Sequence, residues 1–421
     1  MNHVNYQQRL DFVKKLLQER FALKVHNIEP IEYDADCPFE YNNFIYKVQI
    51  DCQECQWLHA QSGTSPLNSD TSQIIMRLSN AASGMPDHNR VENEVGMMFL
   101  FRRALANRDL GHLVPQVHAW GSAEGGQGWI LEEFVQGSQL DRVFETASGD
   151  LKQSVLDQMA DIVAAMQSFA VPHTITQYGG VSFSPTGDVI SGPMTTLSEG
   201  PFQTRACLYQ TFLTQQLSSA DRSPVLQGWR DDGLRARLER FCADELPELA
   251  LTSENSNKTI VHSDFTMNNV LIDESTGKLV ALLDFDWSYI GSAHDEFLRS
   301  FCDLGMIPGP QSEGHELDLR QELLSGQSDQ FRSKETANAL QNWYQVLKSR
   351  GSKVPSDLTG MEEISRLHWF INQISPWLLT HPVPLKRRSK VQLGTVREST
   401  RQSILAFLQH TADPSSGVAT P

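Results

Sequence analysis

What this 421-residue chain has little of narrows its class before anything else does. Basic residues are scarce: 35 Lys and Arg stand against 51 Asp and Glu, a formal net charge of −16. Such a field repels phosphate backbones at long range, so a nucleic-acid surface is not expected. Long apolar runs are missing too, and no stretch approaches the roughly 20 residues a bilayer-spanning helix needs. The segment Met1 to Phe21 mixes charged residues with Leu10, Val13, Leu16 and Leu17, so it reads as neither a signal peptide nor a membrane anchor. Six cysteines in so long a chain make no disulfide framework, which points to a reducing, cytoplasmic setting. Cys52 and Cys55 form a C-x-x-C, but two further zinc ligands at comparable spacing are lacking, and a redox pair should open a helix. They read as reduced thiols in a surface hairpin. Glycine is absent before Gly63, which excludes a G-x-G-x-x-G phosphate loop among the first strands.

What is present is globular: 40% of the residues are apolar, and the length predicts two or three core-forming units. After a first helix, Asn43–Ile50 and Gln73–Leu78 are rich in β-branched and aromatic residues and read as strands, with Asp51–Asp70 a loop or hairpin between them. Asn89 to Ala106 has helical spacing with Asn89 as N-cap, and Leu113–Trp120 and Trp129–Phe134 read as two more strands. Beyond Gly137 helices dominate, beginning with the amphipathic Leu151–Phe169; Gln177–Pro201 reads as an extended loop. Phe202–Leu217 and Leu234–Phe241 resume helical character. Short apolar runs at Thr259–His262, Val270–Ile272 and Leu279–Phe285 follow, then mainly helices from His315 to His410.

The chemistry concentrates in Val261–Phe301. His262-x-Asp264-x-x-x-x-Asn269 precedes a short hairpin, and Leu282-Leu283-Asp284-Phe285-Asp286 closes it. Both polar sets fall at the ends of apolar runs, which places Asp264, Asn269 and Asp284 together at one end of a strand pair. Phosphoryl transfer needs such a set: a carboxylate to orient or deprotonate a hydroxyl, and hard oxygen ligands for Mg²⁺ on nucleotide phosphates. Asp264 fits the catalytic base, and Asn269 and Asp284 fit metal ligands. His262 fits a residue that holds the loop. Capped turns between strands are the plain alternative.

This stretch is similar to the catalytic-loop and metal-binding motifs of the aminoglycoside phosphotransferase family, relatives of choline kinase. Phe39–Val48, Arg90–Glu94, Ile130–Gly137 and Tyr178-Gly179-Gly180 fall in that family's order, and Asp284–Trp287 with Asp295-Glu296-Phe297 resembles its large fungal branch, often linked to secondary metabolism. The resemblance implies an α+β, protein-kinase-like two-lobe fold. Residues 1–137 would form a small lobe, a five-stranded antiparallel sheet plus helix, and 138–410 a larger, mainly helical lobe with a disordered tail, 411–421. It also implies roles. Arg77 would steady the nucleotide phosphates with Glu94 as its partner, and the turn Pro38–Asn43 would cover them through Asn42 and Asn43. Glu132 to Val135, with Phe134, would be the hinge that holds the adenine, unless it is simply a core strand. Asp286 reads as loop support, and Asp295 either as a carboxylate bonded to the catalytic loop or as a helix cap.

The expected function is therefore an ATP- and Mg²⁺-dependent phosphotransferase acting on a hydroxyl of a small molecule, with an amine or amino sugar suited to the acidic charge. Neither nucleic acid nor membrane is expected as a partner, and the chain would be a monomer or homodimer. The alternative is a kinase-fold binding or regulatory protein without turnover, which the Gly-poor loop and the Arg in place of a strand Lys allow. A protein kinase is not expected, because no Ala-Pro-Glu-like segment follows Asp284.

Overall fold

The computed structural model describes residues 5–31, 40–51, 61–251, 257–304, 306–326 and 336–412. Cys52, Cys55 and residues 413–421 lie outside the described residues, as do the first two residues of the Pro38–Asn43 turn. The chain forms two compact units, Met1–Pro201 with Thr259–Ile290, and Phe202–Lys258 with Gly291–Pro421.

The first unit is built on an antiparallel sheet. Helix α1 (Tyr6–Phe21) leads into strands β1 (Lys24–Pro30), β2 (Asn43–Asp51) and β3 (Gln73–Ser79). Helix α2 (Arg90–Ala106) follows, and then strands β4 (Val117–Gly121) and β5 (Trp129–Glu133). The strand order is β1-β2-β3-β5-β4. Because strand side chains alternate, β3 divides its residues between two faces. Ile74, Met76 and Leu78 join Tyr46, Val48, Leu131 and the α1 residues Val13, Leu17 and Phe21 in one buried cluster. Each fully buried aliphatic chain there stabilises the fold by about 1.5–3 kcal/mol. Arg77 and Glu132 fall on the opposite face, diagonal to each other, since Arg77 pairs with Ile130 and Ile75 with Glu132.

Several boundaries moved from expectation. The fifth strand of the expected sheet was not located from sequence; it is β1, whose composition (KVHNIEP) is polar and whose residues are exposed or half-buried, as an edge strand tolerates. Gln177–Pro201 is not simply a loop but contains the hairpin Gly180–Phe183 and Val189–Gly192. Leu113 lies in a 3₁₀ turn, and the strand starts only at Val117. Asn89 precedes α2, but it caps nothing with its side chain. It sits at φ 51° and donates instead to the Val181 and Pro193 carbonyls, tying α2 to the hairpin.

The unit boundary also departs from the division at residue 137. The helix Gly149–Ser168 and the short strands that carry the H-x-D motif belong with the sheet. Strand Val270–Asp273 pairs with Lys278–Leu282 on one side and Ser138–Gln139 on the other. Gln158 of the helix accepts from Leu279 N–H and donates to the Gly277 carbonyl, and the Thr259 hydroxyl donates to the Met166 carbonyl. These side-chain-to-backbone bonds bind the strand pair and the strand Thr259–Val261 to the helix that precedes them by 100 residues or so. The second unit is helical, with Arg205–Arg222, His315–Ser325, Met361–Ile374 and Lys390–Ala412 among its helices. No helix among the described residues is long and apolar enough to cross a membrane.

Gly180 opens the hairpin where there is no room for a side chain. A Cβ there would lie 2.0 Å from the Pro193 carbonyl oxygen. Replacing it with alanine must displace backbone, so Gly180→Ala is expected to destabilise by about 1–3 kcal/mol. Gly125→Ala, whose Cβ meets nothing within 4 Å, is the neutral comparison. Thermal unfolding of the two variants checks this; equal midpoints would refute the close packing at Gly180.

Candidate active site

The candidate site lies wholly within the first unit. Its central cation is Arg77, 6% exposed. Its Nη1 lies 2.5 Å from Glu94 Oε1 of α2 and 3.8 Å from Glu132 Oε2 of β5, and its Nη2 lies 3.7 Å from Asp286 Oδ1. Burial works against the guanidinium's charge, but the carboxylates outweigh it and raise its pKa. Three acids around one base leave negative charge in excess. Burial drives Glu94 well above the usual carboxylate range, against the pull of Arg77. Burial likewise raises Glu132. Asp286 goes the other way: burial pushes it up, but Arg77, Arg90 and hydrogen bonds from Glu94 and Asn43 bring it below its ordinary value.

The turn expected to cover phosphates is tied into this cluster. Asn43 Nδ2 donates to Asp286 Oδ2 at 2.8 Å, and the Asn42 carbonyl accepts from Asn80 N–H and from Arg90 Nη2. The side chain of Asn43 is thus engaged by the protein itself. Glu132 sits inside the sheet, with backbone pairing to both β3 and β4, and points its carboxylate at Arg77. Phe134 is the first residue but one beyond that ladder's buried part, half-buried, with the Lys47 ammonium 4.0 Å from its ring centre.

The H-x-D-x-x-x-x-N loop folds back on itself. His262 is fully buried against Phe101, Phe265 and Phe285. Its Nδ1 accepts from Asp264 N–H, so its Nε2 carries the proton and donates to the Leu283 carbonyl at 3.1 Å. Burial pushes its pKa down to about 3, which keeps the imidazole neutral. With both ring nitrogens engaged, the imidazole fixes the conformation of the loop. Ser263 takes φ 70°, turning the chain so that half-buried Asp264 meets Asn269. Asn269 Nδ2 donates to Asp264 Oδ2 at 2.8 Å and to its carbonyl at 2.9 Å. That orientation leaves the amide oxygen, which accepts from Asn268 at 3.2 Å, as the face that could meet a cation.

Asp284 completes the set. The Leu283 N–H donates to the Asn269 carbonyl, which brings the second motif against the first. Asp284 itself adopts φ 64°, a left-handed conformation costly for a residue with a Cβ. Its Oδ1 is buried with no hydrogen-bond partner among the described residues. Burial first, then the Asp286 carboxylate, push its pKa up to about 7, against the pull of Arg77. A cation at Oδ1 would relieve both conditions, so the donors fit Mg²⁺, which takes one or two carboxylates and completes its shell with phosphate and water. No group of three or more His, Cys, Asp or Glu that could hold a metal ion is found among the described residues.

Two positioning residues were not singled out from sequence. Asn93 accepts from Val181 N–H and donates to the Ser288 carbonyl, so one amide fastens α2 both to the hairpin and to the segment after Asp286. Ser288 in turn donates to the His262 carbonyl. The available signal was a polar residue on the buried face of α2. Asp295, by contrast, lies in the second unit, where it closes the capping box with Ser292 and accepts from Arg205 and Tyr209. Burial raises its carboxyl, but Arg205 and Tyr209 hold it at about 2. The N-cap is Ser292, and Asp295 stands three residues on, inside the helix, as its capping-box partner rather than as the cap itself.

An antiparallel sheet bearing one long helix, followed along the chain mainly by helices, is the architecture of protein-kinase-like phosphotransferases. The profile of the phosphotransferase enzyme family matches residues 60–313, more than half of the chain, and the chain belongs to that family. No relative is found among curated proteins. Similar solved structures include the ternary complex of APH(2″)-IIa with streptomycin and ATP, 13% identical with TM-score 0.48 over 97% of this chain and 99% of that one. A ternary complex of APH(4)-Ia with ADP and hygromycin B is 14% identical, with TM-score 0.45 over 97% and 99%. The GDP complex of aminoglycoside 2′-phosphotransferase-IIIa is 14% identical, with TM-score 0.43 over 95% and 99%.

The raised Asp284 carboxyl has a consequence for stability without metal. An acid whose folded pKa lies near 7, against about 3.9 unfolded, binds more protons folded than unfolded between those values. Its contribution therefore falls as pH rises from about 4 to about 7 and stays lost above. Asp284→Asn should stabilise the metal- and nucleotide-free protein at pH 8 by about 1–3 kcal/mol, the gain shrinking toward pH 5. Chemical denaturation at the two pH values reads this directly; a variant less stable at pH 8 would contradict the buried, unrelieved charge.

Proposed function

We propose that this protein is an ATP- and Mg²⁺-dependent kinase that transfers the γ-phosphoryl group to a hydroxyl of a small molecule. The observation that carries the reading is the mutual arrangement of Asp264, Asn269 and Asp284 within the family-matched region. Asp264 is held by Asn269, and Asp284 follows on an adjoining turn with an oxygen left unsatisfied. In this reading Asp264 orients the acceptor hydroxyl and takes its proton, while neutral His262 fixes the loop from behind. Asn269 Oδ1 and Asp284 Oδ1 hold Mg²⁺, which when bound neutralises charge on the nucleotide phosphates. Arg77, set by Glu94, supplies the fixed positive charge beside them, and the Asn42–Asn43 turn covers the phosphates with backbone groups. The strand end from Glu132 to Phe134 faces the base. An amine-bearing or amino-sugar alcohol remains the acceptor class that the acidic chain favours.

One observation favours the alternative of nucleotide binding without turnover. Arg77 is engaged by three carboxylates and must exchange at least one of those contacts to reach a phosphate. The two readings separate in one comparison. With ATP, Mg²⁺ and a panel of amino sugars and alcohols, the wild type should release ADP in an acceptor-dependent way. Asp264→Asn should lose about 10²–10⁴-fold in kcat while still binding nucleotide, since a general base contributes that much. Asp284→Ala should in addition abolish the Mg²⁺-dependent part of nucleotide binding. Nucleotide binding with no acceptor-dependent turnover would support the binding protein, and undiminished turnover by Asp264→Asn would remove the base assignment.

A further inference from the structure

The second unit contains an open cavity of about 490 Å³, within the size range of small-molecule sites. Its lining comes from Pro310 and Gln311 and from the helices His315–Ser325, Met361–Ile374 and Lys390–Ala412, and none of it from the unit that carries Asp264. Glu362, Arg366 and Trp369 stand at i, i+4 and i+7, so one face of Met361–Ile374 forms a wall. Phe407 contributes an aromatic floor that cannot shift easily. It stacks on Phe370 at 4.0 Å between ring centres, and Phe241 meets both rings edge-on.

The charges in this cavity do not cancel. Arg320, 4% exposed, donates to Glu362 at 2.9 Å, to the Ser365 hydroxyl and to the Pro308 carbonyl, so that base and that acid satisfy each other. Glu362 is the only acid among the described residues that line the cavity. Half-buried Arg366 is left over: it has no ion pair or hydrogen bond among the described residues, and its nearest partner is the Phe407 ring, 6.0 Å away. One turn on, the Trp369 indole N–H likewise has no acceptor among the described residues, and Gly309 packs so close to the ring that a Cβ there would lie 2.7 Å from Nε1. Locally the chain is also stripped of negative charge. Residues 364–397 contain no Asp or Glu, in a protein where acids outnumber bases by 51 to 35. A cavity that offers two open donors, one of them cationic, beside a rigid aromatic floor selects a flat apolar body bearing one anionic group.

We propose that this cavity binds an aromatic carboxylate, its carboxylate on Arg366 and the Trp369 N–H and its ring over Phe407. Calorimetric titration of the full-length protein, without nucleotide or Mg²⁺, tests it with 2-naphthoate as the probe. The expected result is saturable one-site binding, with 2-naphthalenemethanol, the neutral isostere, and inorganic phosphate each at least tenfold weaker. Arg366→Gln should weaken naphthoate binding tenfold or more and Trp369→Phe about threefold to tenfold, with Arg366→Lys intermediate and unfolding midpoints unchanged. No binding, equal binding of the neutral isostere or of phosphate, or an unchanged affinity in Arg366→Gln would each overturn the proposal. Because no nucleotide is present, the outcome is independent of whether the chain transfers phosphate.

Discussion

Burying one guanidinium organises the first unit. Taking a charge out of water costs several kcal/mol, and only closely set counter-charges offset that. Arg77 obtains them from three separate parts of the chain: Glu94 from a helix, Glu132 from a neighbouring strand, and Asp286 from the turn after the hairpin. Asn43 joins through Asp286, adding a fourth segment. The excess of carboxylates shows in their opposite shifts: burial raises Glu94 and Glu132, while Arg77 and Arg90 bring Asp286 below its ordinary value. Removing any member strands another charge. The cluster is therefore a constraint on where α2, β3, β5 and the Asp284 turn can be.

That constraint leaves the H-x-D loop and the Asp284 turn to be shaped locally. His262 does this by being neutral and buried among three phenylalanines, with one ring nitrogen on Asp264 N–H and the other on the Leu283 carbonyl. Two residues with side chains, Ser263 and Asp284, take left-handed conformations. Such conformations cost about 1–2 kcal/mol each and persist only where surrounding bonds over-determine them. Here those bonds are the His262 and Asn269 contacts. Strain and an unsatisfied Asp284 oxygen in the same turn suit a site completed by a ligand.

The strands β2, β3 and β5 were legible because short runs of β-branched, aromatic and other apolar residues mark them, and the helix α2 because its apolar residues fall at helical spacing. Strand β1 was not, since an edge strand with exposed residues carries no such run. The hairpin at Gly180 was hidden by its glycines and serines, which look like loop; it is held by contacts from Asn89 and Asn93 on a distant helix. Within the site, Asp264, Asn269 and Asp284 were readable from spacing, because a strand pair with a short turn leaves few ways to arrange its ends. Asn93 and Ser288 were not, since a single amide or hydroxyl has no spacing to betray its partner.

By itself the sequence determined which residue types were available and in what order: the acid-poor and glycine-poor stretches, the periodic elements, and the polar pair of motifs around a hairpin. Tertiary structure alone decided what each charge faces. Nothing local to Glu132 told which charge its carboxylate meets; the register of β3 and β5 sets it diagonal to Arg77. Asp295 read as a loop partner or a cap until Ser292, Arg205 and Tyr209 surrounded it. The reason is physical. A local pattern is enforced by backbone geometry within a few residues, whereas the state of a buried charge is set by whichever distant groups the fold brings within a few ångströms.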